Sequence, residues 1–352
     1  MTFLKVKGMP LFFPLLLIAA ALFVTAACAS DFIELCAAGS LQEVEEALSG
    51  WADVNAPDGE NGMTPLMAAA LADRPEIVDI LLRASADVDA RDGDGWTALM
   101  WAAAKAGETV VARLIAASAD LDAQSFGYET ALQLSVQSGR EGSARLLIGA
   151  GAYVDPRREQ GVTPLMLAAA EGYLGMVKAL VGAGASINAR DGDGWTALMW
   201  AVNSGDEGTA EALLTASADA SIPDREGITP LMAAAYRGHA GLLSLLARSG
   251  ADVNALSEDG APPALFLACD SGSVEAVKVL INAGADVGTR YTGGLTPLMA
   301  AARKGAADVL AVLVQASADL NAEDDDGWTA RRYAQEFENR EAERFLTELG
   351  AK

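Results

Sequence analysis

Carboxylates placed two residues apart around a glycine turn are the first feature of this sequence with chemical potential. Asp92-Gly-Asp-Gly95, Asp191-Gly-Asp-Gly194 and Asp324-Asp-Asp-Gly327 each resemble the opening of a calcium loop. None carries an acidic residue at the twelfth loop position, which an EF-hand needs. His239 is the single histidine in 352 residues, which argues against histidine metal sites and histidine-dependent triads. Three cysteines, Cys28, Cys36 and Cys269, are too few for a disulfide scaffold. No glycine-rich phosphate loop or Ser/His/Asp set stands out, so no catalytic, cofactor or metal residue is assigned. The residues left for recognition are aromatic and acidic, and their positions are set by a repeat.

One pattern recurs along the chain. Thr64-Pro-Leu-Met, Thr97-Ala-Leu-Met, Thr130-Ala-Leu-Gln, Thr163-Pro-Leu-Met, Thr196-Ala-Leu-Met and Thr229-Pro-Leu-Met are spaced by 33 residues. A step of 34 leads to Pro263, and Thr296 and Thr329 follow at 33 each. A divergent unit, Phe32 through Ala56, precedes them, for ten units in all. With Thr as position 1, Thr is an N-cap and the following Pro suits a first helical residue. Leu at position 3, an apolar residue at 5 and Ala at 6 and 7 make an apolar face at helical spacing, kept small by Ala70, Ala103, Ala169, Ala234 and Ala302. Gly139, Gly172, Gly205, Gly238, Gly272 and Gly305 end that helix near position 10. A second apolar stretch follows, such as Ile77-Val-Asp-Ile-Leu-Leu82, then a turn such as Arg91-Asp-Gly-Asp-Gly95. No unit can bury its own apolar faces, so stacking must supply the core.

These elements resemble ankyrin repeats, with matching period and phase over residues 30–352. The resemblance implies an all-α repeat solenoid: helix-turn-helix units with β-hairpin tips in a single curved array whose concave face binds other proteins. One domain is expected over 30–352, with an N-terminal cap repeat at 30–63, internal repeats at 64–328 and a C-terminal cap repeat at 329–352. The polar second helix of the first unit and the charged last unit have the wet outer faces that solenoid ends need, so the array is expected to be complete.

Several positions depart from the family pattern. Position 4, His in the family, is Met67, Met100, Gln133, Met166, Met199, Met232, Phe266 and Met299, which predicts sulfur and carbon packing in place of a polar bond. Position 22, usually a left-handed Gly, is Ser85, Ser118, Ser217 and Ser317, which predicts different helix ends there. The tip Ser125-Phe-Gly-Tyr-Glu129 lacks the Asp and places Tyr128 where Gly is expected. Residues Ala90 to Ala102 recur unchanged at Ala189 to Ala201, three units on, which is the mark of block duplication.

Charge and composition narrow the function. With 25 Lys+Arg against 48 Asp+Glu the net charge is −23, and such a polyanion repels a phosphate backbone, so no nucleic-acid partner is expected. Lys5 and Lys7, an uncharged apolar run to Val24 and the small residues Thr25-Ala-Ala-Cys-Ala-Ser30 form a secretory pattern. Residues 1–29 are read as a signal peptide cleaved before Ser30, as a lipoprotein signal with Cys28 acylated, or as an uncleaved N-terminal anchor. All three place the body outside the cytoplasm, in the periplasm or cell envelope or secreted, with membrane attachment only through that segment.

The expected function is non-enzymatic binding of a protein partner on the concave groove and tips, without a cofactor. The alternative is an inhibitor or immunity-like protein that occludes a basic partner enzyme. Trp96, Trp195 and Trp328, each just before the unit's Thr, are candidate anchors. Phe126, Tyr128, Tyr236 and Arg237 face the same groove by register. The tip carboxylates Asp94, Asp193, Glu226 and Asp325 form an acidic rim that would steer a basic partner. Weighed as the calcium loops that they resemble, the tips are read instead as ordinary family turns. Trp101 and Trp200, at position 5, are read as core fillers and His239 as a turn residue. Cys36 and Cys269 lie too many layers apart to pair within one extended chain and are expected to be buried thiols.

Overall fold

The computed structural model describes residues 29–257 and 259–351, which divide into two compact units between Pro156 and Arg157. In the first unit a helix over 29–38 (α1) is followed by α2 (Leu41–Gly50), α3 (Pro65–Leu71), α4 (Pro75–Arg83), α5 (Ala98–Lys105), α6 (Glu108–Ala116), α7 (Ala131–Gln137) and α8 (Glu141–Gly149). The second unit holds α9 (Pro164–Ala170), α10 (Leu174–Gly182), α11 (Ala197–Ser204), α12 (Glu207–Thr215), α13 (Pro230–Arg237), α14 (Ala240–Arg248), α15 (Ala264–Ser271), α16 (Val274–Asn282), α17 (Pro297–Lys304), α18 (Ala307–Gln315), α19 (Ala330–Glu336) and α20 (Arg340–Glu348). Each unit is a helical repeat stack. The first helices of successive repeats pack on one another, α3 on α5 on α7 and α9 through α19 by odd numbers, while the second helices form a parallel row behind them. Among the described residues no helix is long and apolar enough to cross a membrane.

The Thr positions behave as the sequence predicts. Thr64 Oγ1 accepts the Met67 N–H at 3.3 Å, and the same bond recurs at Thr97, Thr130, Thr163, Thr196, Thr229, Thr296 and Thr329. The sulfur of position 4 does more than pack, which amends the expectation. Thr64 N–H points at Met67 Sδ at 3.4 Å, and Thr163 and Thr296 at Met166 and Met299 at the same distance. The thioether thus stands in as a weak acceptor for an otherwise orphaned cap donor. Where the residue is Gln133, its amide oxygen accepts the Thr130 N–H at 3.1 Å and its amide nitrogen donates to Pro156 O at 3.0 Å.

Apart from α19, the first helices from α3 onward are largely interior. Ala69, Ala70, Ala102, Ala103, Ala169, Ala201 and Ala234 have no exposed surface, so each inner helix is thin enough for a neighbour on both sides. The second helices bury one stripe, such as Ile77, Val78, Ile80 and Leu81 on α4, and leave the other wet. Between repeats a polar relay ties the turns. Asn55 Oδ1 accepts the Asp87 N–H at 2.8 Å, Asp89 the Asp120 N–H at 2.8 Å and Asp122 the Tyr153 N–H at 2.8 Å. Asn188 and Asn254 do the same for Asp219 and Asp286 in the second unit.

Two expectations are corrected. The tips are not strand-bearing β-hairpins: among the described residues there is no strand, only one isolated bridge between Tyr291 and Leu295. Each tip closes through a single residue pair, as in Asp92 N–H to Trp96 O at 3.0 Å, too short for a ladder. Neighbouring tips are joined by one backbone bond, Phe126 N–H to Asp94 O at 3.0 Å or Arg225 N–H to Asp193 O at 3.0 Å. The helix ends at position 22 do not change with Ser either. Ser85, Ser118, Ser217 and Ser317 have φ of 69°, 64°, 69° and 69°, the left-handed conformation of Gly184 and Gly250. The Ala86 N–H reaching back to Leu81 O at 3.0 Å holds the serine there.

A serine in that conformation is strained by about 1 kcal/mol relative to glycine. Ser85→Gly, Ser118→Gly, Ser217→Gly and Ser317→Gly are each expected to raise the urea midpoint by an amount worth roughly 0.5–1 kcal/mol, with an unchanged m-value. Equilibrium urea unfolding followed by far-ultraviolet circular dichroism checks this, and a fall in the midpoint would contradict it.

Candidate functional site

The tips that begin with Asp or Ser are each organised around one side-chain acceptor. Asp92 Oδ1 accepts the N–H groups of Asp94 at 3.0 Å and Trp96 at 2.8 Å, while Oδ2 accepts the indole N–H of Trp101 at 2.9 Å. Asp191 repeats this with Asp193, Trp195 and Trp200 at 3.0, 2.8 and 3.0 Å. Asp324 takes Asp326 and Trp328 N–H at 3.0 and 2.7 Å and the Tyr333 hydroxyl at 2.6 Å. Ser125 replaces the carboxylate in the divergent tip, and its Oγ accepts the N–H groups of Gly127 and Glu129 at 3.2 and 3.1 Å. These groups answer the calcium reading: the leading carboxylates are spent on the turn, and among the described residues no group of three or more His, Cys, Asp or Glu could hold a metal ion.

Trp101 and Trp200 are therefore not core fillers. They are half-buried, and each is fixed by its bond to the tip aspartate and by a ring partner. Trp96 lies 4.6 Å from Trp101 between ring centroids, Trp195 lies 5.0 Å from Trp200, and Trp328 lies 5.3 Å from Tyr333. The Arg332 guanidinium sits 4.3 Å over the Trp328 ring. Sequence reasoning missed this network, although its signal was present: a carboxylate and an aromatic N–H or O–H donor nine residues apart, three times over.

The other candidates divide between the units. In the first, Phe126 is 71% exposed and Tyr128 54%, on the tip that follows Asp94. Phe126 needs glycine beside it: a Cβ on Gly95 would stand 3.0 Å from the Phe126 nitrogen, and Gly95 has φ of 79°. Tyr128 adopts φ of 60° without being glycine. In the second unit Trp195, Glu226, Tyr236 and Arg237 border one cavity of about 370 Å³. Tyr236 is 60% exposed, and Arg237 donates to Asn203 Oδ1 at 2.6 Å. Asp94, Asp193, Glu226 and Asp325 are exposed. His239 precedes α14, with its N–H bonded to Ala234 O at 3.0 Å. Cys28 lies outside the described residues.

A family model described as ankyrin repeats (3 copies) matches residues 32–125, 103–191, 183–257 and 265–352. The chain belongs to the ankyrin repeat family. No curated protein matches it. Ankyrin repeats are in general protein–protein interaction modules, which turns attention to the surface of these stacks and away from their interior chemistry. The interior is chemically quiet. Cys36 and Cys269 are buried free thiols. Burial pushes Cys36 up to about 12 against the pull of Arg74, and burial with the neighbouring Asp270 carboxylate pushes Cys269 up as well.

At the last tip, burial opposes ionisation of Asp324, but hydrogen bonds from Tyr333, Trp328 and Asp326 outweigh it and hold the carboxyl below the usual range. Burial, then the bond to Asp324, pushes the Tyr333 hydroxyl up to about 12. A depressed carboxyl stabilises the fold above its unfolded-state pKa and loses that contribution as pH falls through the folded value. The stability cost of Tyr333→Phe is therefore expected to be larger at pH 7 than at pH 3, read from paired urea midpoints. Removing a tip acceptor outright, as in Asp191→Ala, leaves backbone and indole donors unsatisfied and is expected to cost about 1–3 kcal/mol in the same assay.

Proposed function

We propose that this ankyrin repeat protein is a non-enzymatic interaction module of the cell envelope or secreted space, holding a protein partner on the face built by its first helices and tips. The observation that carries the reading is the exposure of Phe126 and Tyr128 on a tip of the first unit and of Tyr236 on a first helix of the second, beside interiors that have no need of them. The backbone at Tyr128 adds support. A left-handed tyrosine costs about 1–2 kcal/mol, and glycine at that position would avoid it. Keeping a strained aromatic at an exposed tip makes sense where the ring meets something. Trp96, Trp195 and Trp328 are half-buried and serve as supporting contact surface within their own units.

Export rests on the N-terminal sequence, Lys5 and Lys7 followed by an uncharged run and small residues. Cleavage before Ser30, acylation of Cys28 or retention as an anchor are its three forms, and mass spectrometry of the protein isolated from its source cells separates them. A second reading, an inhibitor that occludes a basic enzyme, draws support from the exposed carboxylates Asp94, Asp193, Glu226 and Asp325. Stoichiometric loss of the captured partner's activity would single it out.

The direct test is capture from the envelope fraction with the full chain as bait. Phe126→Ala, Tyr128→Ala and Tyr236→Ala, alone and combined, are expected to weaken retention of a stoichiometric partner at least tenfold while circular dichroism is unchanged. Tyr128→Gly is expected to raise the urea midpoint and still lose affinity. If the acidic rim steers the encounter, the on-rate falls as salt rises from about 50 to 300 mM. Full retention by the triple variant would remove these residues from the interface.

A further inference from the structure

The tip aspartates divide into those whose second oxygen is covered and those whose second oxygen is open. Asp92, Asp191 and Asp324 meet an aromatic donor at position 5 of the following helix, Trp101, Trp200 or Tyr333. Asp224 does not, because position 5 of its repeat is Ala233. Its Oδ1 closes the turn as the others do, accepting Glu226 and Ile228 N–H at 2.9 Å each. Its Oδ2 has no hydrogen-bond partner among the described residues. Yet Asp224 is only 9% exposed.

The space that an indole fills in the sister repeats is here a cavity of about 370 Å³, lined by Asp224, Ala233, Ile228, Met199, Met232 and the ring of Trp195. The walls are mostly apolar and aromatic, and the polar lining is the Asp224 carboxylate with Glu226, Asn203 and Arg237. The first unit follows the same rule more loosely: Asp58 with Ala68 at position 5 also borders a cavity, of about 500 Å³. There the tip is one residue longer and the aspartate less buried.

We infer that the Asp224 cavity is a slot for an indole ring, occupied by a tryptophan side chain of the protein partner, with the indole N–H donating to Asp224 Oδ2. The chain itself shows the recognition chemistry. Trp101 and Trp200 place an indole against a tip aspartate at 2.9 and 3.0 Å with a tryptophan ring packed beside it. The slot offers the equivalent carboxylate, with Ile228 where the same-repeat tryptophan stands in the sister repeats and with Trp195 of the preceding repeat, which also packs on Trp200, supplying an aromatic wall. A cationic side chain would also suit the carboxylates of Asp224 and Glu226, but it would meet the guanidinium of Arg237, which lines the same cavity, and be stripped of water against Ile228, Met199 and Met232. An indole satisfies the oxygen and buries its remaining surface on those walls. The inference rests on the interaction-module reading for the source of the ring, and not for the slot itself.

The test therefore has two arms on the full chain. In the first, the methionine methyl groups are labelled with ¹³C, Met199 and Met232 are assigned by Met→Leu variants, and N-acetyltryptophanamide is titrated. Saturable ring-current shifts of both methyl resonances are expected. The N1-methylindole analogue, which has no donor, should bind at least tenfold more weakly. Ala233→Trp supplies the ring from within, as in the sister repeats; it should abolish the shifts and leave the thermal midpoint equal or higher. No shift in the wild type, equal affinity for the N1-methyl probe, or undiminished shifts on Ala233→Trp would each overturn the slot. In the second arm, capture from the envelope fraction is repeated with Ala233→Trp. Loss of the wild-type partner supports a partner-borne tryptophan. Retention of that partner overturns this occupant while the module reading stands, and methyl shifts without any captured partner leave the slot and remove its protein source.

Discussion

No repeat of this chain has an interior of its own. A helix such as α5 is seven parts alanine, leucine, methionine and tryptophan to one lysine, with Leu99, Met100, Ala102 and Ala103 wholly covered. That coverage comes from the helices before and after it, α3 and α7, as much as from its own partner α6. Stability within each unit is therefore a nearest-neighbour property, and the residues that set it are the small ones that allow close approach. Everything else follows from this division of labour. The stack carries the energy, and the tips need only be held in register with it.

Where a tip begins with Asp or Ser, holding it takes a single side-chain oxygen. Asp92, Asp191, Asp224 and Asp324 each gather two backbone N–H groups through Oδ1, and Ser125 does the same through a hydroxyl. A carboxylate has a second oxygen to place, and a hydroxyl does not. Where that aspartate is only 8–9% exposed, as at Asp92, Asp224 and Asp324, the second oxygen must find a donor or face a cavity. Position 5 decides which. This is why Trp101, Trp200 and Tyr333, which look like misplaced core residues, sit half-buried against the tips.

The helical repeat architecture was legible because its signals are local and repeated. Thr64, Pro65 and Leu66 state a helix start in three residues, and seven further units repeat the Thr in phase. The left-handed serines were not legible as such. Serine seldom adopts that conformation alone, and only the return bond of Ala86 to Leu81 and its counterparts shows that the stack imposes it. The candidate anchors were half legible. Register placed Phe126, Tyr128 and Tyr236 at the surface, but it could not show that Trp96 leans on Trp101 or that Trp195 forms the wall of a cavity. Those facts depend on which residue stands nine positions from an aspartate, a comparison across repeats and not within one.

Duplication sharpens the point. Residues 90–102 and 189–201 are identical, and the two aspartate–indole bonds they make agree to within 0.1 Å. A copied block keeps its network because the tryptophan and the aspartate travel together. The repeat after the second block kept the aspartate and has alanine where the ring would be, so its turn is intact and its slot is empty. A surface that is uniform in backbone becomes specific through such omissions. Position 5 is part of the core in some repeats, as at Ala68, Leu134 and Ala300, and faces the tip in others, as at Trp200 and Ala233, and there exchanging alanine for tryptophan changes what the tip can bind.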